Sequence, residues 1–202
     1  MSSLLKTNSI SAATGSTVTI PSGTTLDIAS GATIDATGAT ITGWPAAVDN
    51  TPAFQAYQSA NLYLPDNTFT AVTANTEDFD SDSAYDTSTH TFTVPSGEGG
   101  KYFLYFYGDV ESGGGSAQAL SHTTAQIRIN SESSSTARFS KYRDDYTGGN
   151  TQSVFVSGVV ILSAADTVKF WVKQNVYAGY ASNLLGNSQR STVVGGYKLI
   201  GV

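Results

Sequence analysis

The chain has 202 residues, of which 40 % are hydrophobic and 13 % charged, so it holds enough apolar side chain for a sizeable core and too little charge for a disordered chain. Sixteen acidic residues against ten scattered basic ones leave a formal net charge of −6, which excludes a nucleic-acid partner gripped through its phosphates. Cysteine is absent, and with it disulfides and thiolate metal sites.

Residues 1–15 begin Met-Ser-Ser-Leu-Leu-Lys-Thr-Asn and contain no apolar run of signal-peptide length. No stretch reaches the roughly 20 apolar residues of a membrane helix. The expectation is a soluble chain without a classical export signal, whose short N-terminal segment serves as an anchor.

Residues 16–43 repeat. Gly15, Gly23, Gly31 and Gly38 each precede a Thr-rich unit with apolar residues at alternate positions, Val18 and Ile20, Leu26 and Ile28, Ile34 and Ala36, Ala39 and Ile41. Alternation of period two marks strands, and glycines mark the turns between them. Units this short bury nothing alone and leave open edges. Three chains wound into a β-prism or triple β-helix would close those edges around a seam of Ile20, Ile28, Ile34 and Ile41, with Asp27 and Asp35 outward. Residues 44–52 carry two prolines, Pro45 and Pro52, which bar regular ladder pairing and predict a linker or collar.

Residues 53–202 read as all-β, with strands predicted at 53–57, 69–74, 91–94, 101–110, 119–130, 135–141, 153–163, 167–176 and 191–201. Many short strands separated by Gly-rich turns imply a two-sheet sandwich or jelly roll. The segment 102–107 is apolar on both faces: Tyr102, Leu104 and Phe106 point one way, Phe103, Tyr105 and Tyr107 the other. A small antiparallel sandwich ordinarily wets one face of each sheet. Aromatics on both sides call for a second packing partner, and another copy of the chain is the economical one. The run from Val154 to Leu162 repeats the pattern.

Several motifs in 53–202 resemble the C1q/TNF-type jelly roll, in particular C1q-like heads at the tips of viral and bacterial fibres. They are Ala53-Phe54-Gln55-Ala56, Asn75-Thr76-Glu77, Phe79-Asp80, Tyr85-Asp86, Phe92-Thr93-Val94-Pro95, Gly100 and Tyr102, Ser157-Gly158, Leu162 with Ala165-Asp166 and Val168, and Gly196-Tyr197-Lys198-Leu199-Ile200. The sequence departs at Ala165, where the family usually has glycine, and at Val194, where it has an aromatic. The resemblance implies a tight homotrimer with loops at the apex and flanks. Residues 16–43 similarly resemble the trimeric β-shafts of bacteriophage fibres, and residues 1–15 the anchors of small virion proteins. The expected architecture is therefore anchor (1–15), shaft (16–43), collar (44–52) and C1q-like head (53–202).

The only histidines are His90 and His122, and no nucleophile elbow, phosphate loop or His-x-x-x-His pair is present, so no enzymatic activity is expected. Asp78, Asp80 and Asp82 have the spacing of a calcium-binding loop. Ser83 and Thr89 stand where an EF-hand needs glycine and glutamate, so only a looser calcium site is expected and no other cofactor. Two expected loops, 141–150 and 175–183, mix aromatic and polar residues that suit a glycan or protein surface or, equally, cover the flanks of a trimer: Tyr142, Arg143, Asp144, Asp145 and Tyr146 in the first, Tyr177 and Tyr180 in the second.

The expected function is that of a homotrimeric phage fibre, an external appendage of the virion. It would be anchored to other virion proteins by its N-terminus and contact a host-surface glycan or protein through the head, without membrane insertion. The alternative is a capsid fibre or decoration protein with a mainly structural or weakly glycan-adhesive role. Phe103, Tyr105 and Tyr107 are the expected trimer-interface residues of the head. Placing a charge in the apolar seam by Ile28→Asp should lower the thermal resistance of the shaft and its rod-like hydrodynamics. A variant as elongated and heat-resistant as wild type in light scattering and thermal melts would refute that seam.

Overall fold

A computed structural model describes residues 50–112, 120–144, 150–176 and 182–200. The anchor, the shaft with Ile20, Ile28, Ile34 and Ile41, and most of the collar lie outside these residues, as do Asp145, Tyr146, Tyr177 and Tyr180.

Two antiparallel sheets pack face to face, as the alternation predicts. The first holds β1 (Ala53–Tyr57), β2 (Leu62–Leu64), β4 (Thr76–Asp80), β7 (Gly100–Ser112), β10 (Thr151–Leu162), β12 (Ser182–Leu184) and β13 (Thr192–Lys198). Its strands run β2-β12-β7-β13-β1-β4, and β10 pairs along the other side of β7 as an edge. The second sheet holds β3 (Thr70–Ala71), β5 (Tyr85–Asp86), β6 (Thr91–Thr93), β8 (Leu120–Ile129), β9 (Phe139–Asp144) and β11 (Thr167–Val176). It runs β5-β6-β11-β8-β9, with β3 also paired to β11.

The core lies between the sheets. Phe54 of β1 stacks on Phe92 of β6 with ring centroids 4.5 Å apart and on Tyr85 of β5 at 5.1 Å, so one side chain clasps both layers. Phe106 of β7 meets Phe170 of β11 edge-on at 6.3 Å. The buried Tyr85 satisfies its hydroxyl by donating to the Ala74 carbonyl at 2.9 Å.

Glycines shape the packing at two positions. Gly158 of β10 faces inward, where any Cβ would collide with the Phe139 ring of β9. The missing side chain lets that ring close the sandwich flank. Gly195 of β13 lies directly under the Tyr105 ring on the opposite, outer face.

Three expectations need correction. Residues 135–137 are not strand: a single 3-10 turn, Ser134–Thr136, sits in this Ser/Thr-rich stretch, and the strand begins at Phe139 and continues to Asp144. The acidic run is strand as far as Asp80: Thr76–Asp80 pairs with β1 as β4, with a bulge at Asp78, and only Ser81 and Asp82 lie beyond it. Ser182 and Asn183, expected at the end of the loop 175–183, instead begin β12, which pairs with β2 and β7.

The departure at Ala165 has a visible consequence. Ala165 adopts φ +69° in the turn from Ser163 to Asp166, where Asp166 N donates to Ser163 O at 3.1 Å and Ser163 N to the Asp166 carboxylate at 2.7 Å. A left-handed backbone costs an L-residue about 1–2 kcal/mol, partly offset for alanine by glycine's larger unfolded-state entropy. Ala165→Gly should therefore stabilise the head by roughly 0.5–1 kcal/mol, seen as a raised midpoint in thermal or urea unfolding.

Candidate assembly surface

The outward face of the seven-stranded sheet carries apolar side chains across the three neighbouring strands β10, β7 and β13. Register sets Phe155 opposite Tyr107, Val159 opposite Phe103 and Ile161 opposite Lys101 on the edge strand β10. Tyr105 lies opposite Gly195 and Phe103 opposite Tyr197 on the other side. Ile161 is 73 % exposed, Phe155 54 % and Val159 51 %, with Phe79 of β4 also open to solvent. The alternate residues of β10, Val154, Val156, Val160 and Leu162, are buried in the core. Both strands singled out by their double-faced pattern thus fill the core with one side and present apolar matter with the other. Isolated exposed apolar residues need no explanation, whereas a contiguous sheet face of them does.

A polar cluster is set into this face. Tyr105 reaches over Gly195 and donates its hydroxyl to Gln55 Oε1 at 2.6 Å. Gln55 Nε2 donates to Asp78 Oδ2 at 2.8 Å. Arg190 grips the same carboxylate, with Nε 2.9 Å from both oxygens and Nη2 2.5 Å from Oδ1, while its guanidinium covers the Tyr57 ring at 4.8 Å. Planar two-point contacts of this kind fix geometry as well as charge. The Asp78 side chain is only 14 % exposed. The Arg190 hydrogen bonds hold its carboxyl below the ordinary value of 3.8, against the opposing effect of burial. Burial raises the Tyr105 phenol to about 12, with Tyr107 adding to the shift, so it is a proton donor at any physiological pH.

Asp78, Asp80 and Asp82 do not form a metal cage. Asp78 is committed to Arg190 and Gln55, Asp80 accepts from the backbone of Tyr85 at 2.7 Å, and Asp82 accepts from Ser81 Oγ at 2.5 Å. Among the described residues no three acidic or histidine side chains converge. Tyr142, Arg143 and Asp144 fall on the edge strand β9 rather than on a loop. Tyr142 packs against His122 at 4.9 Å, and Arg143 donates to the Ser153 carbonyl at 2.6 Å, tying β9 to β10. Burial, followed by the nearby Lys173 charge, lowers the His122 pKa. His90, at φ +54°, contacts the Ala74 carbonyl at 3.3 Å.

The sequence pattern identifies Phe103, Tyr105 and Tyr107 but not Gln55, Asp78 and Arg190, which join them on the same face. Arg190 sits 112 positions from Asp78 in a polar turn, and no local periodicity links the two.

No protein-family model matches the chain, and no curated protein does. Solved structures resemble it. The Eiger TNF structure from S. frugiperda covers 74 % of this chain and 93 % of its own at 12 % identity, with a TM-score of 0.51. The globular domain of a zebrafish complement 1qA protein covers 74 % of this chain and 98 % of its own at 18 % identity, with a TM-score of 0.46. The head therefore has the TNF-like jelly-roll fold, and at such identities the likeness concerns the fold alone.

The low Asp78 pKa makes a pH prediction. A carboxylate with a lowered folded pKa contributes stability above its unfolded value of 3.8, and that contribution is lost as pH falls through the folded value. Arg190→Ala should remove the lowering, so the variant should lose less stability than wild type as pH falls below about 4. Parallel acid limbs in urea titrations of the two proteins would show that the pair has no such role.

Proposed function

We propose that this chain is a non-enzymatic, homotrimeric fibre of a phage virion, in which the TNF-like head assembles three copies and contacts the host surface. The observation that carries the assembly is the apolar outer face of the seven-stranded sheet. A closed three-fold ring needs two different, complementary patches on each protomer. The aromatic centre (Phe103, Tyr105, Tyr197) and the projecting edge strand β10 (Phe155, Val159, Ile161) are two such patches on one sheet. Fully burying a side chain of this size contributes roughly 1.5–3 kcal/mol. The C1q/TNF resemblance supports three as the copy number, and the in-phase repeats of residues 16–43 support a shaft beneath the head.

Three weak contacts on one rigid head act together through effective concentration, so modest single-site affinity suffices for attachment. A light-scattering mass near three times 21.1 kDa is expected for the full chain, and a monomer would overturn the reading. Phe155→Asp with Ile161→Asp should yield monomers with an unchanged β-sheet circular dichroism spectrum, because both side chains are exposed in the single fold. A trimer that survives both changes would move the interface elsewhere.

A further inference from the structure

On the outer face of the second sheet, away from the assembly surface, register places Arg128 of β8 opposite Lys169 of β11. Arg128 is a charged residue only 2 % exposed. Its guanidinium is held between two aromatic rings, 4.1 Å from the Trp171 ring and 4.7 Å from that of Phe69. Nε donates to Gln126 Oε1 at 2.9 Å and Nη1 to the Glu132 carbonyl. Nη2 has no partner, and neither does the buried indole Nε1 of the adjacent Trp171. No carboxylate among the described residues pairs with Arg128, since the Glu132 side chain bonds Lys169 at 2.8 Å instead. A buried guanidinium without a counter-charge is costly, and each unsatisfied buried donor calls for an acceptor. The unpaired guanidinium N–H, which can donate but not accept, calls for a group that only accepts.

Arg128 and Lys169 line a cavity of about 470 Å³ whose walls also include Thr89, Thr91, Asn130 and Glu132. The volume lies in the range of small-ligand pockets, and the hydroxyl and amide groups are the kind that meet sugar hydroxyls. We propose that this cavity binds a carboxylate-bearing sugar unit of a surface glycan, its carboxylate taking the place of the Glu132 side chain on Lys169 and turning toward Arg128. Glu132, 68 % exposed at its side chain, is the resident competitor that swings away. This site names the ligand class for the host-surface role and rests on that reading for its biological meaning. The binding itself is independent of trimerisation.

Trp171 is a built-in reporter, because an anion drawn toward Arg128 alters the field at its ring. The full chain is titrated with glucuronate, with glucose and with inorganic phosphate while tryptophan fluorescence is followed. Saturable quenching by glucuronate is expected, with glucose silent and phosphate at least tenfold weaker. Lys169→Met should weaken glucuronate about tenfold and Glu132→Gln should tighten it severalfold. Glu132 is exposed and Lys169 half-buried at the cavity wall, and neither belongs to the core, so both changes should leave the melting temperature almost unmoved. Equal response to glucose would overturn the charge recognition, and equal affinity for phosphate would overturn the sugar. An unchanged affinity in Lys169→Met would overturn the site. A trimer that fails to adhere to cells yet still binds glucuronate would refute the attachment role and keep the pocket.

Discussion

Strand β7 is hydrogen-bonded along both edges and apolar on both faces, and the rest of the head is arranged around those four commitments. Its inward residues Tyr102, Leu104 and Phe106 are completely buried. Its outward residues set the character of the exposed sheet face. On one flank β10 follows it over the full length from Gly100 to Glu111, and on the other β13 and β12 share it end to end. A one-residue slip would exchange the two faces of every strand it pairs. The inner aromatics make one register far better than its neighbours, so the outer pattern is fixed by the core.

Apolar area alone is a poor guide to orientation, because greasy surfaces slide. The chain Tyr105–Gln55–Asp78–Arg190 supplies direction in the middle of such a surface. It is satisfied within one protomer, so it does not leave buried polar groups unmatched when covered. Its presence on the outer sheet face, with Tyr57 under the guanidinium, gives that face a relief of fixed shape. Exposed single ion pairs contribute little to stability, and this one counts for its geometry more than its energy.

Strand existence was legible where alternation was strong and long, as in 53–57, 167–176 and the two double-faced strands. The fold class followed from those strands and their turns. What stayed hidden depends on tertiary context. Thr76–Asp80 carries three acids and becomes a strand only because β1 offers it an edge. Phe139 begins its strand later than the pattern suggests because it needs the hollow left by Gly158. In the candidate surface, Phe103, Tyr105 and Tyr107 were readable from period two. Gln55, Asp78 and Arg190 were not, since polar residues far apart in sequence give no periodic signal. Arg128 sat in a strand-like run with nothing to mark a buried cation, and the rings that enclose it come from elsewhere in the chain, Phe69 just before β3 and Trp171 in β11.

The pairing of β1 with β13 joins the first described strand to the last, with Ala53 set against Tyr197. The outer face is therefore incomplete until β13 has been made and has docked between β1 and β7. Tyr105 cannot lie over Gly195, nor can Gln55 be positioned beside it, while β13 is still unmade. Domains built on such distant pairings close late. A chain interrupted before Thr192 would therefore carry β7 without its β13 neighbour, with Tyr105 and Gln55 unplaced.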